Sequence, residues 1–309
     1  MRHFINLEDI PVTDLRRIII DAKKRKNLRK NLNNLDVDKK APLKGKLLIQ
    51  MFEESSLRTR ISFYLAIKQL GGSTLTLRPD ELHLSKGGES IEDTAKILSN
   101  FGNAFMLRSN SDEKLKEFRK YLSIPIINGL SPSSHPTQIL SDIFTIEEIK
   151  KKPISNLNIT WIGDCNNVLN SLIAASIKFS FKLNIGCPKN YQPNKKILSY
   201  IKNNRNKISI YYDAKKAATE ADVIFSDKVI SMNDKVNKIK KLKSFQKFKV
   251  DERLMACTNK NCIFLHCLPR GTEVDEKVFS SKQSMVWHQA INRVHVQKSI
   301  LLYCFGKLR

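Results

Sequence analysis

The sequence predicts an α/β protein built from two doubly wound parallel-sheet domains. Short apolar runs of strand length alternate with longer stretches of helical spacing. The same strand–loop–helix pattern restarts after a polar, proline-containing stretch at 150–156. Polar loops follow several strands at the point where open α/β sheets bind ligands. At 309 residues and 41% hydrophobic content the chain can fill two cores. The division falls into a first domain over 1–149, a second over 150–287 and a final helical segment over 288–309.

In chain order, Leu7 to Arg25 reads as an amphipathic helix with Pro11 and Thr13 at its start and Leu15, Ile18, Ile19 and Ala22 inward. Residues 27–42 are polar and loop-like. Leu47, Leu48, Ile49 and Met51 suit a buried strand. After a polar loop, Ile61, Tyr64, Leu65 and the stem of Lys68 recur at helical spacing up to Gly71-Gly72. A short strand is expected over Ser73 to Leu77, then a loop from Leu82 to Ser90, then a helix with Ile91, Ala95, Ile97 and Leu98 inward. The strand Asn103 to Leu107 delivers Arg108 at its C-terminal end, and a further strand spans Ile124 to Asn128. Pro136 favours an extended His135 and suits the first turn of a helix reaching Ile149. The second half reads as strand Ile159 to Ile162, loop Gly163-Asp164-Cys165-Asn166-Asn167 and helix Val168 to Phe179. Strands at 182–185, 208–212, 223–225 and 263–266, a helix near 195–203 and a final helix from about His288 to Phe305 complete it.

The loop Phe52-Glu53-Glu54-Ser55-Ser56-Leu57-Arg58-Thr59-Arg60 opens a helix, where unpaired backbone N–H groups and the positive end of the macrodipole face outward. Ser56, Arg58, Thr59 and Arg60 add hydroxyl and guanidinium donors. A serine before a helix is usually only a cap, but this concentration of donors in one turn suits phosphate. His135, Gln138 and Arg108 are expected at the same strand ends.

The formal charge of +24 is compatible with nucleic-acid binding, and Lys235 to Lys249 is the best local segment for it. Val236, Ile239, Leu242 and Phe245 recur every third residue there, so the lysines read as the wet face of a core helix, and no nucleic-acid partner is expected. No run approaches a membrane span and no leader is recognisable, so the expected location is cytoplasmic. Six cysteines without a regular framework read as free thiols. Cys262 and His266 would lie ~13 Å apart on an extended strand, too far to share zinc with Cys257 and Cys267, so no metal is expected. The single glycine of the Gly163 loop lacks the remaining glycines of a dinucleotide fingerprint.

Ser56-Leu57-Arg58-Thr59-Arg60, His135-Pro136-Thr137-Gln138, Asp164 to Asn167, Asp227 with Ser231-Met232, and His266-Cys267-Leu268-Pro269-Arg270 occur in this order. In that order they resemble the carbamoyltransferases from end to end, and the Ser-Met pair with His-Cys-Leu-Pro resembles the ornithine branch. The resemblance implies transfer of the carbamoyl group from carbamoyl phosphate to the δ-amine of L-ornithine, giving citrulline and phosphate in arginine metabolism. It implies a carbamoyl-phosphate domain, an ornithine domain with the site in the cleft between them, a last helix packed back on the first domain, no cofactor, and a homotrimer or assembly of trimers. By position Ser56, Leu57, Arg58, Thr59, Arg108, His135, Gln138, Cys267 and Arg293 would hold carbamoyl phosphate. Asn167, Asp227, Ser231, Met232, Cys267 and Leu268 would hold ornithine, and Arg108, His135 and Cys267 would act in catalysis. Another amine such as N-acetylornithine or putrescine is the alternative acceptor, and a non-catalytic basic scaffold of the same fold is the alternative of a different class.

The sequence departs from the family pattern at Leu57, where threonine is usual, at Asn233 and Ser85, where glycine is usual, in a longer loop at 83–90, and at Gln289 and Ile291. Leu57 loses a hydroxyl but keeps the backbone N–H.

Overall fold

The computed structural model describes residues 1–78, 88–203, 207–230 and 237–308. The expectations for His83, Ser85, Ser231, Met232, Asn233 and Val236 lie outside the described residues. The chain divides into two compact units, Met1–Phe144 with Ile291–Arg309, and Thr145–Ala290.

Unit 1 carries a four-stranded, all-parallel sheet in the order β2-β1-β3-β4, from β1 (Leu47–Phe52), β2 (Ser73–Leu77), β3 (Ala104–Arg108) and β4 (Ile126–Leu130). Its helices are α1 (Val12–Leu28), α2 (Leu57–Gln69), α3 (Ile91–Phe101), α4 (Asp112–Tyr121) and the first part of α5 (Pro136–Lys150). Strand order reverses between β1 and β3, so the loops after these two strands open at the switch point, where such sheets bind ligands. One core cluster joins Ile49, Met51, Phe105, Leu107 and Phe118, with the Phe105 and Phe118 rings 5.2 Å apart.

Several boundaries and faces differ from expectation for local reasons. Helix α1 starts at Val12, because Pro11 disfavours helical geometry at Ile10. Its buried residues are Leu15, Ile18, Ile19 and Ala22, as expected. Helix α2 buries Thr59, Ser62, Phe63, Ala66 and Ile67 and exposes Ile61 (48%) and Tyr64 (43%). At about 100° per residue the two sets lie on opposite sides of the helix, and the Phe63 side carries the larger continuous apolar surface. Gly71, at φ 85°, ends this segment, and a side chain there would collide with Ala41. Helix α3 buries Thr94, Ala95 and Leu98 and leaves Ile97 exposed, roughly 100° round from the centre of that face. The mostly charged α4 escaped the sequence reading, since only Leu115 and Phe118 mark its inner side.

Unit 2 carries a five-stranded, all-parallel sheet in the order β7-β6-β5-β8-β9. Its strands are β5 (Asn158–Ile162), β6 (Lys182–Gly186), β7 (Ile208–Tyr211), β8 (Val223–Ser226) and β9 (Ile263–His266). Order reverses between β5 and β8, which places the Gly163–Asn167 loop and Asp227 at the second switch point. The helices are the last part of α5, α6 (Asn167–Phe179), α7 (Lys195–Asn203), α8 (Ala214–Ala218), α9 (Lys238–Phe245), α10 (Glu252–Met255), α11 (Glu276–Phe279) and the start of α12 (Val286–Cys304). Trp161, Phe225 and Phe264 are fully buried in this unit.

Helix α9 overturns the expected apolar stripe. Ile239 is 80% exposed and Leu242 lies at the surface, whereas Lys241 and Phe245 are buried. A strong partner for the lysine, Asp164, wins over the apolar pattern. Lys238, Lys240, Lys243 and Lys247 are exposed, as expected, and Phe245 packs into the core; of the lysines of α9, Lys241 alone leaves the wet face.

Candidate active site

In unit 1, Ser56 is the N-cap of α2, its Oγ accepting the Thr59 backbone N–H at 3.4 Å. Thr59 is buried, Arg58 half-buried and Leu57 exposed. Arg60, counted among the donors from sequence, is exposed and lies 5.0 Å from the Phe52 ring centroid. Arg108 ends β3 in register with Phe52, and its Nη2 lies 3.4 Å from Glu54 Oε2. The neighbouring Glu53 carboxylate braces the strand ends by accepting from Ser109 Oγ at 2.8 Å, the Asn110 N–H at 3.0 Å and Lys114.

His135 precedes α5 at the end of a loop held by Asn128, whose amide donates to Ile5 O at 3.1 Å and Ser134 Oγ at 3.0 Å. Gln138 in the first turn of α5 donates to Asp142 Oδ1 at 2.8 Å, which leaves its carbonyl oxygen for Arg293 Nη1 at 2.9 Å. Arg293 Nη2 reaches Thr59 Oγ1 at 2.8 Å. Thr59, Gln138 and Arg293, from three distant parts of the chain, thus form one buried polar chain. Burial, followed by the charges of Arg293, Arg108 and Arg58, holds the His135 imidazole well below the usual histidine range. His135 is therefore neutral at pH 7 amid arginines. Burial lowers the Arg108 guanidinium, and Glu54 offsets part of that effect. The arrangement offers hydrogen-bond donors and positive charge to a small anion.

In unit 2, Gly163 follows β5 at φ 143°, with its N–H donated to Gly186 O at 3.1 Å. Asn166 caps α6, its carbonyl oxygen accepting from Val168 and Leu169 N–H at 3.0 and 3.2 Å, while its Nδ2 donates to Asp227 Oδ2 at 2.8 Å. Asn167 opens α6 and is half-buried. Burial raises the Asp227 carboxyl, partly offset by His266, the Lys228 N–H and Asn166.

Ser226 and His266 are register partners on β8 and β9, so Asp227 and Cys267 leave adjacent strand ends together. His266 Nδ1 accepts the Leu268 N–H at 2.9 Å, which leaves Nε2 to carry the proton donated to Glu273 Oε1 at 3.0 Å. Burial alone would raise Glu273, but the bonds from His266 and the Gly271 N–H prevail and lower it. The backbone at 267–269 is unusual, with Leu268 at φ 57° and a cis Leu268–Pro269 bond, and buried Cys267 sits within it.

Ser56, Thr59, Arg108, His135, Gln138 and Arg293 thus lie in unit 1, and Asn167, Asp227, Cys267 and Leu268 in unit 2. Sequence reasoning missed Glu54 beside Arg108, Asn166 on Asp227, Glu273 under His266, and Lys241 on Asp164. Glu54 and Asn166 lay inside the recognised loops but had been given no role. Glu273 and Lys241 had no one-dimensional signal. Among the described residues no three His, Cys, Asp or Glu side chains come together as a metal site.

Residues 2–148 match the family model described as aspartate/ornithine carbamoyltransferase, carbamoyl-P binding domain, and residues 155–304 match its Asp/Orn binding domain. The chain is 42% identical over 309 residues to the ornithine carbamoyltransferase of Caulobacter vibrioides, covering 99% of this chain and 98% of that protein. It is 39% identical to that of Agrobacterium fabrum, covering 99% and 98%. Among solved structures, the anabolic ornithine carbamoyltransferase of Campylobacter jejuni superposes with a TM-score of 0.89 at 36% identity, covering 99% of this chain and 100% of that chain. The ornithine carbamoyltransferase of Pyrococcus furiosus gives 0.90 at 35%, covering 97% and 96%.

Proposed function

We infer the reaction from one premise: the chain belongs to the aspartate/ornithine carbamoyltransferase family. It is an enzyme that transfers the carbamoyl group of carbamoyl phosphate to the δ-amine of L-ornithine, giving L-citrulline and phosphate. The observation that carries the residue assignment is the Arg293 bridge between Thr59 and Gln138, which joins the helix-capping loop, the His135 helix and the C-terminal segment into one anion-binding cluster.

In this reading Ser56, the Leu57 backbone, Arg58, Thr59, Arg108, Gln138 and Arg293 hold carbamoyl phosphate, with the phosphate at the N-terminus of α2. Asn167, Asp227, Ser231, Met232 and Leu268 hold ornithine, Asp227 taking the α-ammonium. The δ-amine must be neutral to attack, although an alkyl ammonium titrates near ~10 in water. Cys267 helps position that amine and accommodate its deprotonation. Attack on the carbamoyl carbon places charge on the carbonyl oxygen, stabilised by Thr59, Arg108 and His135. His135, being neutral, serves as a hydrogen-bond donor rather than an acid. The C–O bond to phosphate then breaks, and the phosphate takes up a proton as it leaves. No residue role requires a cofactor or metal.

The working state in this reading is a homotrimer or an assembly of trimers. Leu57, Ile61 and Tyr64 form an exposed apolar stripe along α2, and Leu75 is exposed on the edge strand β2, a surface suited to a second copy. Among the described residues no helix is long and apolar enough to cross a membrane, and we place the enzyme in the cytoplasm, on the synthetic side of arginine metabolism. Nucleic acid is not assigned as a partner.

The test is citrulline formation from carbamoyl phosphate and L-ornithine, with N-acetylornithine, putrescine and L-aspartate in parallel. Turnover with ornithine alone supports the assignment. Turnover only with another amine overturns the reading of Asp227, and salt-sensitive nucleic-acid binding without turnover overturns the catalytic reading.

A further inference from the structure

Lys241 sits in the middle of a lysine-rich helix, yet it is 3% exposed and its Nζ lies 2.7 Å from Asp164 Oδ2. The ammonium also lies 5.9 Å from the Tyr191 ring centroid, and that ring packs 5.0 Å from Phe245 of the same helix. A buried lysine costs desolvation free energy that only a close counter-charge offsets, so this pair is a specific feature and not one of many solvated lysines.

Its position links three parts of the proposed amino-acid site. Asp164 belongs to the loop between β5 and α6, and its carbonyl accepts from Trp161 Nε1 at 3.1 Å. Two residues on, Asn166 caps α6 and bonds Asp227. Helix α9, which supplies Lys241, follows directly on the segment 231–236 that contains Ser231 and Met232. The Lys241–Asp164 pair therefore ties the helix after that segment to the loop that presents Asn167.

The pair also separates two carboxylates by charge. Asp164 is neutralised by an ammonium, whereas Asp227 is held by neutral donors, the Asn166 amide and the Lys228 backbone N–H. Ornithine carries two amino groups, and its productive register needs one of them bound as an ammonium while the other is free to lose its proton. A second unneutralised carboxylate would compete for either ammonium.

We propose that Lys241 is a specificity-determining positioning residue for the amino-acid substrate: by pairing with Asp164 it fixes the Gly163–Asn167 loop and leaves Asp227 as the carboxylate offered to the α-ammonium. This rests on the reading of Asn167 and Asp227 as ornithine-binding.

The test uses the full-length enzyme with both substrates varied and putrescine, a diamine without a carboxylate, as competitive inhibitor. Lys241→Met raises KM for ornithine by about tenfold or more, leaves KM for carbamoyl phosphate within about twofold, and tightens putrescine inhibition, because Asp164 becomes a second ammonium acceptor. Lys241→Arg restores the wild-type pattern. Asp164→Asn, which removes the carboxylate facing the ammonium, also raises KM for ornithine but weakens putrescine inhibition. If Lys241→Met fails to fold, the opposite behaviour of Lys241→Arg and Asp164→Asn carries the test.

Unchanged ornithine KM and putrescine inhibition overturn the proposal. So does a joint rise of both KM values that arginine does not reverse. Asn167→Ala run alongside separates the two readings. If it leaves ornithine KM unchanged, the underlying site assignment fails; if it raises that KM while Lys241→Met and Asp164→Asn do not, only the role of Lys241 fails.

Discussion

Arg293 Nη2 lies 2.8 Å from Thr59 Oγ1 across 234 residues of sequence, and both side chains are buried. A C-terminal helix thereby reaches the first turn of the helix that follows the proposed anion-binding loop. The same guanidinium bonds Gln138, so one side chain fixes two others.

Arg293→Lys removes the planar fork while keeping the charge, so it cannot hold Thr59 and Gln138 together in the same geometry. The expected outcome is a fall in kcat/KM for carbamoyl phosphate of ~10²-fold, with a smaller change in KM for ornithine. Initial-rate kinetics with each substrate varied in turn will check it.

His135 is kept neutral by burial and by Arg293, Arg108 and Arg58. Its folded pKa lies well below 6.5, so the imidazole stays unprotonated as pH falls from 8 to 6. Its ring 15N shifts in the folded enzyme should stay constant over that range, and the acid limb of the pH–rate profile should persist in His135→Gln. His135→Ala should lower kcat by ~10²-fold or more through loss of a positioned donor.

The two sides of α2 should respond differently to substitution. Phe63→Ala removes a fully buried ring and should cost about 3–5 kcal/mol in denaturant unfolding. Ile61→Lys alters an exposed position and should leave protomer folding nearly unchanged while shifting the assembly towards smaller species in light scattering. An unchanged assembly would exclude this stripe as the contact between copies.

Burial lowers Lys298 to about 8, against the opposing pull of Asp38. Between pH 8 and its ordinary value of 10.5 the unfolded chain binds more protons at this group than the folded one, so this group makes stability rise with pH across that window. Below pH 8 the folded protein carries a penalty of up to about 3 kcal/mol from it, relieved above. Lys298→Met should lose that pH dependence, and the difference between the two unfolding curves at pH 7.5 and 9.5 will show it.

The sheets and the residues at their switch points were legible in the sequence because strand-length apolar runs give way to polar or turn residues: Ser56, Arg108, Gly163 and Asp227. A helix face was harder to read. Ile61 and Tyr64 have the right spacing and polarity, but Phe63, Ala66 and Ile67 have it too, and only packing distinguishes the two sets. Lys241 was misread because a buried, paired lysine and a solvated one are the same letter; its meaning lies in Asp164, 77 residues away. Thr59, Gln138 and Arg293 were expected together as carbamoyl-phosphate ligands; the structure shows them bonded to one another, and those bonds had no sequence signal.

The reversal of strand order between β1 and β3, and again between β5 and β8, has an evolutionary consequence. Apart from Arg293 of the C-terminal helix, each unit presents its proposed binding residues from loops at its own sheet, so each can drift under its own selection. The carbamoyl-phosphate unit meets the same mixed anhydride whichever amine accepts the carbamoyl group, and is constrained accordingly. On the proposed reading of Asp164 and Asp227, a change of amine acceptor calls for changes in the loops of the second unit alone.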